Sequence, residues 1–255
     1  MITRRETVLN GLLTILWTSS SCCSNAQSQS GYPIGCMLSP DEAERIFARS
    51  TEQQLFFTGN EPVIISSGNR DFDYALAQTL SRITDTLGVL PGFGYFDDFE
   101  GENAYATSAS RLGRADGTVL CGKRFFIHTM SELDHPDVAL TAVCAHEFGH
   151  IVQYKRGFFQ ALRAGQPTIK RVELNADFFA GVYAGMRKLQ KPDYPAAVFA
   201  SKQYSHGDYL INSPGFHGTP DERAAAVVRG FEVAYRERRT LSDAIQIGIN
   251  YVLTL

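Results

Sequence analysis

With 255 residues, 44% of them hydrophobic and 20% charged, the chain has material for one globular domain with a sizeable core. A net charge of −3, with no basic stripe or block, leaves no footprint for nucleic acid as a partner.

Residues 1–26 read as a cleaved export signal. Arg4 and Arg5 form a basic head, Val8 to Trp17 an apolar run, and a Ser-rich tail ends at Ser24-Asn25-Ala26. The run is too short to span a bilayer stably, so no transmembrane segment is expected in the mature chain. A periplasmic or extracellular protein follows. Adjacent arginines resemble a twin-arginine signal, although Thr7-Val8 stands where Phe-Leu is usual, and Sec export stays open. Lipid attachment at Cys22 is the lesser alternative, because Ser19-Ser20-Ser21 lacks the customary leucine. Residues 27–38 read as a flexible mature N-terminus and residues 39–255 as a single domain. Once the leader has gone, Cys36, Cys121 and Cys144 remain, enough for at most one disulfide of open pairing.

Ser39-Pro40-Asp41-Glu42 has the signature of a helix start, and that helix should run to about Phe57. Val63-Ile64-Ile65 is a short extended piece. A second helix fits Asp71 to Leu87, with Phe72, Ala75, Leu76, Thr79, Leu80 and Ile83 along one side. From Gly92 to Met130 the pattern changes to strands and turns. Phe93 to Phe96 is extended, Asp97 to Gly101 an exposed acidic turn, and Asn103 to Ser108 extended again. After the turn signal Asp116-Gly117, the stretch Thr118 to His128 reads as one more strand. Pro136 and Asp137 open a long helix ending near Gly157, and a short linker leads to another from about Arg171 to Leu189. Helical spacing returns at Ala196–Tyr204, Pro220–Arg236 and Ser242–Thr254. The fold class is therefore α+β, a small sheet packed on a helical body.

The two long helices carry the chemistry. In Cys144-Ala145-His146-Glu147-Phe148-Gly149-His150, histidines four apart share a helix face and can reach one cation. Glu147 lies beside that pair, placed to take a proton from a metal-activated water. Cys144 falls roughly 200° round the helix from His146 and reads as a buried, inert thiol. A catalytic zinc site needs a third protein ligand and an open position. On the next helix Glu173 and Asp177, four apart, share a face with Ala176, Ala180, Gly181 and Ala184. Those small residues allow close approach, so Glu173 can complete the ligand set. Asp177 would then accept the outer ring N–H of a ligand histidine and set its tautomer.

H-E-F-G-H followed by E-L-N-A-D-F-F-A-G resembles the gluzincin class of zinc metallopeptidases, and within it small bacterial neutral zinc metallopeptidases, with features shared with the HtpX-like branch. The likeness covers roughly Asn103 to Arg223 in pieces. It departs from the HtpX-like enzymes in having no transmembrane companions, and the segments before Gly92 match nothing known. The resemblance implies a zincin-like fold with one Zn²⁺, a peptide or protein substrate, and an edge strand bordering the metal. Asn103-Ala104-Tyr105-Ala106 looks like that edge strand, whose free N–H and C=O groups can hold an extended peptide. His217-Gly218-Thr219-Pro220-Asp221-Glu222-Arg223 resembles a segment that follows the metal helices in relatives. There His217 either donates to the oxyanion formed in hydrolysis or fixes its own loop, and Arg223 suits a pairing with a buried carboxylate. His206, Asp208 and His128 carry no assigned role. The expected activity is zinc-dependent peptide-bond hydrolysis, with His146, His150 and Glu173 as ligands and Glu147 as general base. The alternative is a non-catalytic, zinc-stabilised protein-binding module.

Overall fold

The computed structural model describes residues 61–99, 101–132 and 134–255. The export signal, the mature N-terminus, Cys36 and the helix expected from Ser39 to Phe57 lie outside those residues.

Ile64 exchanges backbone hydrogen bonds with Tyr95, so the Val63–Ile65 piece is indeed extended. Helix α1 (Arg70–Leu87) starts at Asn69, whose side chain accepts from the Phe72 N–H, and stops at left-handed Gly88. It buries Leu76, Ile83 and Leu87, three turns of one stripe.

Strands β1 (Gly92–Phe96), β2 (Ala104–Thr107) and β3 (Thr118–Gly122) form a sheet in the order β1-β3-β2. β3 runs parallel to β1 and antiparallel to β2, so the sheet is mixed and β2 is an outer strand. Alternation splits its side chains between two faces. Tyr95, Ala104, Ala106, Val119 and Cys121 join the main core, while Phe96, Tyr105 and Leu120 form a separate cluster. The Tyr105 hydroxyl on that second face donates to Glu61.

The strand expected from Thr118 to His128 is cut short. Residues Lys123–Met130 form helix α2, because the Asp98 carboxylate accepts from Arg124 N at 2.7 Å and Phe125 N at 2.9 Å. That carboxylate caps a helix start that otherwise has no side-chain partner. Asp98 is consequently buried rather than part of an exposed acidic turn.

The helical body comprises α3 (Pro136–Lys155), the short α4 (Phe159–Arg163), α5 (Lys170–Gln190), α6 (Ala197–Ser205), α7 (Pro220–Tyr235) and α8 (Leu241–Leu253). Pro136 occupies the first turn of α3, where its missing N–H costs nothing. A reciprocal Thr219–Glu222 capping box opens α7, and Thr240 caps α8. α3 is buried without interruption from Val138 to Gln153, and α5 from Val172 to Gly185. α5 packs most extensively on α7 and next on α3. No helix among the described residues is long and apolar enough to cross a membrane.

Small residues set both contacts, though not all where the sequence placed them. A Cβ on Gly149 of α3 would sit 2.9 Å from the Ala176 Cα and carbonyl oxygen of α5, so these backbones touch. Gly181 instead faces α7, where an added Cβ would lie 2.0 Å from the Val227 carbonyl oxygen. It serves the second interface, not the approach to the histidine helix. Gly149→Ala is expected to force α3 and α5 apart, costing about 1–3 kcal/mol by urea denaturation and weakening metal binding in the same protein.

Candidate metal centre

The α3–α5 contact brings together side chains that the sequence separates. His146 and His150 project from α3, and Glu173 from the first turn of α5. The two Nε2 atoms lie 3.1 Å apart. Glu173 Oε2 is 3.4 Å from His146 Nε2, and Oε1 is 3.6 Å from His150 Nε2. All three side chains are at most 3% exposed. Among the described residues they form the one cluster able to hold a metal ion.

Both rings are turned so that Nε2 points inward. The Asp177 carboxylate lies 2.7 Å from His146 Nδ1 and accepts its N–H. His150 Nδ1 faces Gln153 Oε1 at 3.1 Å. The Gln153 amide nitrogen donates to the Val172 carbonyl at 2.8 Å and to Asn175 Oδ1 at 3.1 Å, so its oxygen must be the atom facing the ring. His150 Nδ1 therefore carries the proton and Nε2 a lone pair. Burial lowers the pKa of His150 to about 4, against the pull of Glu173, which leaves it neutral as a ligand must be. For Glu173 burial acts upward, and positive charge on the facing imidazoles is what outweighs it and keeps the carboxyl well below its usual range, so with neutral rings that charge is left for a bound cation to supply. Neither of its oxygens has a hydrogen-bond partner.

The Glu173 carboxylate makes no hydrogen bond, its nearest charged partner is the Arg223 guanidinium at 3.9 Å from Oε2, and it faces an imidazole lone pair, an arrangement of acceptors that a cation between them would satisfy. These residues fit a bound metal ion.

Asp177 is itself held from the opposite side. Arg223, the first buried side chain after the α7 capping box, donates from Nε to Oδ2 at 2.8 Å and from Nη2 to Oδ1 at 2.9 Å. Burial would raise the Asp177 carboxyl, but Arg223 and His146 hold it low. The pairing of Arg223 with a buried carboxylate is thus found, and its partner is the residue that orients His146. Asp177→Asn turns an amide N–H toward guanidinium donors and weakens the acceptor at His146. A 10- to 100-fold loss of metal affinity, about the usual effect of such partners, is expected by competitive titration.

Glu147 is 1% exposed beside this cluster and outside it, and its Oε2 makes no hydrogen bond. Burial pushes its carboxyl up to about 8, with His146 and Arg223 opposing and Glu173 and Asp177 assisting. A cation at the neighbouring site would favour the ionised form. A cleft of about 210 Å³ borders His146 and Glu147, walled by Asn103, Ala104, Phe125, Val143, Gln203, His206 and His217 among others.

Of the four expected edge-strand positions, Asn103 and Ala104 border the cleft. Tyr105 points into the Phe96–Leu120 cluster, and Ala106 lies in the helical core. His217 reaches the cleft wall with its Nδ1 3.4 Å from Asp208 Oδ2, so its partner lies in the preceding loop and not at the start of α7. His206 also lines the cleft, whereas His128 pairs with Glu102 on an exposed surface. Cys121 and Cys144 are buried free thiols, and burial pushes Cys144 up to about 12.

Two residues carry roles that sequence reasoning missed. Gln153 lies three positions past His150 on the same helix face, so helical spacing alone could have marked it. Gln203 gave no signal, since its importance comes from α6 packing near Arg223. Comparison of the chain with family models, with curated proteins and with solved structures finds no match to any.

Proposed function

We propose that the protein is a zincin-like zinc metallopeptidase that hydrolyses peptide bonds. The observation that carries this reading is Glu147, a buried carboxylate outside the ligand set that lines the cleft beside His146. A purely structural site has no use for a base at that point.

Zinc suits the donors. A tetrahedron with bonds of about 2.1 Å has edges of about 3.4 Å; the two Nε2 atoms are 3.1 Å apart, and Glu173 turns one oxygen toward each, Oε2 at 3.4 Å from His146 and Oε1 at 3.6 Å from His150. Two imidazoles and a carboxylate match a common catalytic zinc set and leave room for water. When bound, the ion supplies a Lewis acid beside the scissile carbonyl and acidifies the attacking water.

The remaining work falls to the chain. Glu147 takes the proton of the attacking water and delivers it to the leaving nitrogen. Asp177 and Gln153 hold the imidazoles in the required tautomers, and Arg223 holds Asp177. The Asn103–Ala104 end of β2 offers strand-type contacts to an extended substrate backbone, and His217 is placed to donate from the cleft wall.

The test is a peptide-pool digest with metal analysis on the full chain. The expected outcome is one zinc per chain and cleavage that stops with 1,10-phenanthroline and returns with zinc. Stoichiometric zinc with no cleavage of any peptide would instead identify a non-catalytic, metal-stabilised binding module.

A further inference from the structure

Gln203 lies on the wall of the same cleft and is 1% exposed. Its Oε1 accepts from Arg223 Nη2 at 3.0 Å. A guanidinium has only donors, so the oxygen must face it and the amide nitrogen must turn the other way. That Nε2 is buried and makes no hydrogen bond within the protein. An unused buried donor is costly unless something arrives to accept from it.

We propose that the Gln203 side-chain amide donates to a carbonyl oxygen of the peptide bound in the cleft. The assignment deepens the hydrolytic reading above and rests on it. Arg223 binds Asp177 and Gln203 with the same Nη2 atom, so one guanidinium places both the support of His146 and this donor. A donor fixed in that way does not reorganise as negative charge grows on the oxygen it holds.

The zinc-loaded full chain is compared with Gln203→Glu and Gln203→Met on a quenched-fluorescence peptide pool, with metal content measured in each. Both variants are expected to lose kcat about 100-fold while keeping their zinc. Glu at this position preserves the acceptor for Arg223 and removes the donor, so wild-type kcat in Gln203→Glu overturns the proposal. Loss of zinc in step with activity in both variants also overturns it, because Gln203 then serves only to position Arg223.

A second measurement does not depend on turnover. The Gln203 side-chain NH₂ resonance, assigned through its absence in Gln203→Met, is followed during titration with millimolar N-acetyl-alanyl-alanine amide. A saturable shift supports the proposal, even in a chain that cleaves nothing, where the hydrolytic reading alone would fall. No shift overturns it, even in a chain that cleaves peptides.

Discussion

Glu147→Gln is expected to lower peptide hydrolysis about 10³-fold, within the range a positioned general base contributes, while zinc content stays that of the wild type. The separation follows from position. Glu147 neighbours His146 in sequence but stands outside the three-residue cluster, so its loss removes no ligand. Gln has the same shape and keeps the buried volume filled, but an amide nitrogen takes up no proton at neutral pH. Kinetics and metal analysis on one preparation check the result together. Wild-type turnover in Glu147→Gln would remove Glu147 from the mechanism.

Glu173→Ala is expected to act one step earlier, on the metal itself. Outer partners such as Asp177 are worth about 10- to 100-fold in affinity, and a direct ligand should exceed that, so a loss of more than about 100-fold is expected. Glu173 is fully buried and its two oxygens have no other hydrogen-bonding task, so the change should report ligation directly. Hydrolysis should then fall at limiting zinc and recover in part when zinc is raised. A dissociation constant within threefold of wild type, measured by chelator competition, would exclude Glu173 as a ligand.

What was legible in the sequence was mostly local. The His146–His150 pair and the Glu173–Asp177 pair each lie within one helix, where a spacing of four fixes a common face. The helices of the last third are bounded by signals carried on neighbouring residues, such as the Thr219–Glu222 capping box. Lys123–Met130 misled because Phe125, Phe126 and Ile127 read as strand, while the carboxylate that starts this helix comes from Asp98, far back in the chain. Gly181 misled for a related reason. A small residue announces close approach but not the partner, and α5 has close neighbours on two sides. The bond from Arg223 to Asp177 was foreseen only as some buried pairing, because its partner lies 46 positions away.

That distance bears on when the protein can act. Chains emerge from the ribosome N-terminus first, so both histidines, Glu147 and Glu173 are made well before Arg223 exists to steady them. A nascent or truncated polypeptide ending ahead of Pro220 would lack the guanidinium that holds Asp177 against His146. The clamp from α7 thus ties the orientation of that ring to a stretch of chain made late.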